Sequence, residues 1–477
     1  MVGGGLSGLA AAFRLIELSA EAKRPLELTV IESGRRLGGI IETRRIGQYL
    51  VETGADSFIT NKPWAVDLCE RLGIAGQLIP TDAAFRRSLV LRNGRPVAVP
   101  DGFMLLSPTK LGPVLTSSIF SLRGKLRLGL EYFVPRHREK GDESLASFVR
   151  RRFGHEALER LVQPLVGGIY TADPEKLSLR ATMPRFLEME HRYRSLIRAS
   201  KKQAMHRPTA EQDESGARYT LFLTLAGGLS ELLDELERRV RQSAAVRLET
   251  GVLQIAKPPA DDRGDSAPGW TLTLVGGSTE TFDAVVLSLR SYLSAELLGP
   301  VDPQLSEQLR QIPYASSVVV VSGHRLSDIG HPLDAFGLVI PHIERRKILA
   351  ISFGSRKFPG RAPEGRVLLR TFVGGDMQPE LVEHSDEEIL ELVRAELSDI
   401  LGVRGSTDFE IVSRFENAMP QYHVGHLELV SEIERRLAEH AGLALAGNAY
   451  HGVGIPDSIH SGERAAEALF ETVLDTN

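Results

Sequence analysis

The sequence predicts an α/β protein organised on a parallel sheet, and three stretches carry that prediction. Gly3-Gly4-Gly5-Leu6-Ser7-Gly8 fits a G-x-G-x-x-G turn and runs into an apolar, alanine-rich helix, Leu9 to Leu18. Leu26 to Ile31 reads as a buried strand that ends on a carboxylate, Glu32, 24 positions beyond Gly8. Near the other end of the chain, Leu443 to Ala446 is again a buried strand, leading through Gly447, Asn448, Gly452, Gly454, Ile455 and Asp457 into an alanine-rich helix that reaches Leu474. Strand, glycine turn and helix form the unit of a doubly wound sheet, in which ligands sit at the carboxyl ends of the strands.

The first turn has the chemistry of a dinucleotide site. Gly3 permits the tight turn, Gly5 lets a pyrophosphate approach the backbone, and Gly8 lets helix and strand pack closely. Leu6 and Ser7 open the helix, whose N-terminus offers unpaired N–H groups and roughly half a positive charge to the phosphates. Glu32, with Ser33 beside it, falls where a ribose hydroxyl pair needs an acceptor. The following Arg35-Arg36-Leu37-Gly38-Gly39 is not needed for a nicotinamide cofactor, and a second glycine pair beside arginine tilts the choice from NAD to FAD. Only Met1 and Val2 precede Gly3, where the central strand of such a sheet should run. A truncated or misassigned start is therefore expected, with weak FAD retention and poor folding of a chain that begins at Met1.

The remaining features bound the class. A length of 477 residues is enough for about three domains. With 42% apolar and 25% charged residues the composition is that of ordinary soluble globular proteins. A net charge of −5, from 57 basic and 62 acidic residues, gives no global field for nucleic acid. The single cysteine, Cys69, excludes a disulfide framework and reads as a small core residue. No Ser-His-Asp set and no metal-ligand spacing is present, and His451 reads as structural or solvent-facing.

In order, Ile40 to Val51 predicts a hairpin turning at Gly47, and Gly54, Ala55 and Asp56 follow, small enough at 54 and 55 for backbone to approach a planar ring. Leu89 to Val99 predicts a second hairpin with Asn93-Gly94 as a type I′ turn. From Gly102 to Arg207 the texture becomes helical and basic. Ser121 caps a helix with Leu122, Leu126, Leu130 and Phe133 on one face and Arg123, Lys125 and Arg127 elsewhere, which suits either an anionic membrane surface or internal packing. Val162 to Pro174 is too glycine-rich for a helix interior and predicts a loop near a ligand or a helix junction. Pro208 to Gly216 is a boundary. Strands and helices resume through Val252 and Val285 to Ser288, and the long helix Asp386 to Leu401 belongs with strands such as Ser317 to Val321 in a separate sheet unit.

The motifs Gly3-x-Gly5-x-x-Gly8, Glu32-x-x-x-Arg36-x-Gly38-Gly39, Gly54-Ala55-Asp56-Ser57-Phe58, Gly168-Ile169-Tyr170, Leu225-Ala226-Gly227-Gly228-Leu229 and Ala446-Gly447-Asn448 through Asp457, in this order, resemble the oxygen-dependent protoporphyrinogen oxidase and coproporphyrinogen III oxidase family of the flavin-containing amine oxidase superfamily, over essentially the whole chain. The resemblance implies a Rossmann-like FAD-binding domain (1–82, 208–290 and 428–477), an α+β substrate domain (83–100 and 291–427) and a helical, membrane-associated domain (101–207). It implies that Glu32 holds the adenosine ribose, Arg36, Gly38 and Gly39 the phosphate–flavin side, and Val252 the adenine through its backbone, with Gly454, Ile455 and Asp457 at the flavin. Arg87 would pair with a substrate propionate, which leans towards protoporphyrinogen IX over coproporphyrinogen III. The implied reaction is six-electron oxidation of a porphyrinogen in haem biosynthesis with molecular oxygen as acceptor, hydride leaving a meso carbon for the flavin and the substrate's own tautomerism relocating the other hydrogens. A homodimer at the inner face of the cell membrane, in the cytoplasm, is implied as well. The alternatives are an amine oxidase or desaturase of the same superfamily, and a flavin- or tetrapyrrole-binding protein without turnover.

Overall fold

The computed structural model describes the chain apart from residues 101–102, 105–106, 109–110, 138–140, 206–221, 259–268 and 476–477. The boundary expected at 208–216 lies outside the described residues. The three organising stretches take their expected form: the helix Leu6–Ala22, the strand Leu28–Ile31, and the strand Leu443–Leu445 followed by the helix Ile455–Asp475.

Leu28–Ile31 pairs in parallel with Ala244–Arg247, and Val285–Leu287 pairs in parallel with Leu443–Leu445. Val2 joins the two pairs, bridging in parallel to both Ile31 and Leu287. Ile31 N–H donates to the Met1 carbonyl and Ser288 N–H to that of Val2. Met1 and Val2 therefore stand where a longer central strand is expected. The Met1 amino group donates to Thr29 O at 2.8 Å, and burial pushes its pKa down to about 5.

The first and last helices pack against one another in the core of this sheet. A Cβ at Gly462 would stand 2.1 Å from Ser7 O, so only glycine allows the two helices to approach this closely. Cys69 is fully buried in the same core, and its thiol is pushed up to about 12 by burial and then by Glu70.

A seven-stranded mixed sheet takes the strands in the order Phe409–Pro420, Tyr314–Arg325, Arg366–Gly374, Ala350–Phe353, Gly337–Val339, Ser88–Arg92 and Arg95–Ala98. The last two form the expected hairpin, and Asn93 (φ 50°) and Gly94 (φ 73°) give it a type I′ turn. The hairpin turning at Gly47 is also present, as Thr43–Ile46 paired with Tyr49–Glu52.

In the helical stretch one expectation is corrected, and of the two alternatives for the Leu122 face internal packing is set aside. Val162 to Tyr170 is no loop: a π turn, Leu158–Val162, continues as the helix Gln163–Tyr170, which ends with Thr171 at φ 50°. Neither Gly167 nor Gly168 takes a positive φ, and burial of Leu161, Val162 and Val166 in the helical core outweighs the low helix propensity of the glycines. In the helix Leu122–Gly129, capped by Ser121, the packed face is Gly124 and Leu128. The predicted apolar face points outward, Leu122 being 85%, Leu126 68% and Phe133 76% exposed. Arg127 is no surface charge: its guanidinium donates to the carbonyls of Arg150, Arg151 and Arg152 at the end of the helix Leu145–Phe153.

Candidate functional site

The parallel strands all end at one edge, and four backbone segments converge there. Gly3 N–H donates to Ile31 O, Gly4 N–H to Glu32 Oε2 at 2.7 Å, and Gly38 N–H to Gly4 O at 2.8 Å. A Cβ at Gly3 would lie 2.4 Å from Ser288 O, and one at Gly8 2.1 Å from Gly3 O. These two glycines are demanded by the protein's own packing. At Gly5 a Cβ would meet nothing nearer than Gly39 Cα at 4.0 Å, and Gly39 takes φ 61°. Gly5 and Gly39 thus present bare backbone to each other at the start of a helix that no side chain caps. Such a cleft suits a pyrophosphate, with Leu6 and Ser7 in the helical turn beside it.

Glu32 closes one end. Its Oε1 accepts from Gly34 N–H at 2.7 Å as its Oε2 accepts from Gly4, which leaves lone pairs on both oxygens for a ribose. Ser33 Oγ reaches the same Oε1 at 3.4 Å. Thr250 N–H donates to Glu32 O and Glu249 N–H to Gly34 O, so Val252, paired with Leu274 in an antiparallel sheet, begins next to this end.

Several of the expected site residues also bond within the protein. The Arg36 guanidinium is folded onto the carbonyls of Leu37, Gly39 and Ile41, shaping the second glycine loop. Gly54 serves backbone packing, since a Cβ there would lie 2.1 Å from Ile40 O, and Ala55 packs on the core of the parallel sheet. Asp56 accepts from Lys357 Nζ and pairs with Arg370 NH1, each at 2.8 Å. Against the cost of burial, Lys357 and then Arg370 hold its carboxyl well below the usual range, so this residue ties the loop before Phe58 to the seven-stranded sheet. Arg87 immediately precedes the strand Ser88–Arg92 of the seven-stranded sheet and pairs with Asp334 at 3.1 Å.

At the other end, Gly447 (φ 135°) and Gly452 (φ 152°) bend the segment before the last helix. Gly447 N–H donates to Ser461 Oγ, and a Cβ at Gly447 would lie 3.7 Å from Leu289 O. Asp457, 8% exposed, receives Lys62 Nζ, and a Cβ at Gly454 would stand 3.0 Å from its Oδ2. Ile455 is buried in the core of the parallel sheet, and the Asn448 carbonyl accepts from Tyr422 Oη. Tyr170 approaches Asp457, and burial, followed by that charge, pushes its hydroxyl up to about 12. His451 pairs with Glu434 near solvent, as expected.

Ser288, Leu289, Lys62 and Tyr422 belong to this site without having been singled out. The strand ending at Ser288 was visible in the sequence, and the carboxyl end of a parallel strand is where ligands bind. Lys62 and Tyr422 carry no local signal, because their partners lie far along the chain.

The family model described as flavin containing amine oxidoreductase matches residues 6–470. The chain is 34% identical to the coproporphyrinogen III oxidase of Bacillus subtilis (strain 168), covering 98% of this chain and 96% of that one. It is 27% identical to protoporphyrinogen oxidase 2 of Arabidopsis thaliana, covering 98% and 93%. A crystal structure of an Exiguobacterium sp. 255-15 protein, provisionally named a protoporphyrinogen oxidase, superimposes with a TM-score of 0.84 at 29% identity, covering 98% of this chain and 97% of that one. The chain belongs to the flavin-containing amine oxidoreductases, in the branch of the porphyrinogen oxidases, and FAD is its cofactor.

Proposed function

We propose that this protein oxidises coproporphyrinogen III to coproporphyrin III, with molecular oxygen as final acceptor. The observation that carries this reading is the 34% identity, over nearly the full length of both chains, to a coproporphyrinogen III oxidase. The charge at one turn supports it. Arg86 and Arg87 are adjacent, and the Arg356 guanidinium lies 4.8 Å from the Phe85 ring, so three cations gather around residues 85–87. Asp334 partners Arg87 there. This turn adjoins the Gly54–Asp56 loop, because Asp82 N–H donates to Lys357 O and Lys357 holds Asp56. Four propionates would use such a cluster more fully than two, each charge-assisted pair contributing about 1.5–3 kcal/mol. Protoporphyrinogen IX is the second reading, favoured by Arg87 standing at the position of a propionate-binding arginine.

FAD, when bound, supplies the hydride acceptor. The Gly3–Gly8 and Gly38–Gly39 loops would hold its pyrophosphate, Glu32 its ribose, and the 446–457 segment its ring system. A porphyrinogen relocates its remaining hydrogens by tautomerism, so binding and orientation are what the protein contributes. Anaerobic mixing of the flavin-loaded protein with each porphyrinogen tests this. Bleaching by coproporphyrinogen III, followed on admission of air by recovery and a fluorescent porphyrin, is expected. Bleaching by protoporphyrinogen IX alone would transfer the assignment, and bleaching by neither would end it.

The division into an FAD-binding domain, a sheet domain and a 101–207 helical domain is supported by the seven-stranded sheet drawing its strands from 88–98 and 314–420. Among the described residues no helix is long and apolar enough to cross a membrane. The outward stripe of Leu122, Leu126, Leu130 and Phe133, with exposed Arg123 beside it, supports a peripheral seat on an anionic bilayer. Each of these side chains contributes about 1.5–3 kcal/mol when buried. Replacing Leu122, Leu126 and Phe133 together by serine should weaken sedimentation with phosphatidylglycerol vesicles by more than about tenfold. Unchanged sedimentation would rule the membrane seat out.

A further inference from the structure

Three backbone groups of the segment between Leu445 and Ile455 are held by two residues outside it. Tyr422 Oη donates to Asn448 O at 2.6 Å and accepts from Gly452 N–H at 2.8 Å. His426 stacks on Tyr422, the ring centroids 3.9 Å apart and the planes within 12°, and its Nε2 bonds the Tyr450 carbonyl at 3.0 Å. A carbonyl only accepts, so this nitrogen carries the hydrogen. Residues 448, 450 and 452 are thereby pinned from one side. Gly452 is also where the segment passes Asp457, for a Cβ there would meet Asp457 Cγ at 2.3 Å. Both rings are buried, Tyr422 to 2% and His426 to 4% exposure. Burial keeps the Tyr422 hydroxyl protonated, well above its ordinary range, and pushes His426 down to about 4, so both remain neutral donors near neutral pH.

The opposite side of residues 421–426 is anchored in the helical stretch. Ser178 N–H donates to Tyr422 O at 2.7 Å, and Gln421 Nε2 donates to Tyr170 O at 3.2 Å. Asp142 Oδ2 accepts from both Ser178 Oγ, at 2.6 Å, and Gly425 N–H, at 3.1 Å. One short segment thus brackets the turn before the last helix and the 170–178 segment at once.

We propose that Tyr422 is a positioning residue for the flavin, setting the 446–454 turn against the ring system and tying its place to the 170–178 segment. The proposal rests on the reading of this turn as the seat of the ring system. Tyr422 acts through Asn448 and Gly452, as residues behind a contacting group orient it and tune its chemistry.

Tyr422→Phe keeps the ring and the stack and removes only the hydroxyl. Two net hydrogen bonds are worth about a tenfold rise in the Kd for FAD. With that rise we expect a displaced visible absorption band and a shifted midpoint potential in the fully loaded protein. A structural role alone would lower the melting temperature and leave the band and the potential of the loaded protein unchanged, which would overturn the proposal. If Tyr422→Phe does not fold, His426→Phe retains a stacked ring and loses the donor to Tyr450; it should shift the band and Kd in the same direction by less, and no shift would again overturn the proposal. A wild-type protein that binds no flavin would instead overturn the reading of the turn, and the proposal with it.

Discussion

Gly8→Ala is expected to give a protein that retains no flavin on purification and binds added FAD at least about a hundredfold more weakly. The added methyl would stand 2.1 Å from Gly3 O and 3.2 Å from Gly3 C, both backbone atoms that cannot rotate away. The turn must therefore open, and the cleft between Gly5 and Gly39 with it; overpacking of this kind costs about 1–3 kcal/mol or more. Gly5→Ala supplies the contrast. Its methyl meets no protein atom closer than 4.0 Å, so the protein should melt like the wild type while losing flavin, because the methyl occupies the space a pyrophosphate needs. Equilibrium titration with FAD and thermal melting of the apoprotein separate the two effects. Wild-type flavin retention in Gly8→Ala would mean that the cofactor lies elsewhere.

Asp56→Ala is expected to destabilise the protein by about 3–5 kcal/mol, since it leaves Lys357 and Arg370 buried without their counter-charge. Side-chain exposures of 15% for Lys357 and 4% for Arg370 leave water little access to compensate. The effect should depend on pH in one direction. The folded-state pKa of Asp56 lies below its unfolded value of about 3.9, so its stabilisation is complete at neutral pH and is lost as pH falls below about 4 towards the folded value. Urea midpoints of wild type and variant should differ by a constant amount above about pH 5 and converge in more acidic solution. A gap that widens on acidification would refute the assignment of the pair.

Much of the fold was legible because its signals are local. The buried strands, the two glycine turns, Asn93-Gly94 and the Ser121 cap depend on residues within a few positions of each other. The stretch from Val162 to Tyr170 was misread for the opposite reason. Its glycines look like breakers in isolation, and the core that buries Leu161, Val162 and Val166 is drawn from residues as distant as Val90 and Tyr422. Arg127 and Asp56 likewise look like free charges until their partners, Arg150 to Arg152 and Lys357 with Arg370, are brought beside them.

The sequence by itself determined the α/β class, the dinucleotide chemistry of Gly3 to Glu32, the preference for FAD from Arg36-x-Gly38-Gly39, and the family, because these follow from residue type and short spacing. The tertiary structure alone decided which partners the polar side chains find within the protein. It committed Arg36 and Asp56 to the protein's own backbone and charges, turned the Leu122 stripe outward, and brought Tyr422 and Lys62 to the final turn. The physical reason is that hydrogen bonds and ion pairs are satisfied by whatever the fold brings within about 3 Å, and those partners are set by packing across hundreds of residues.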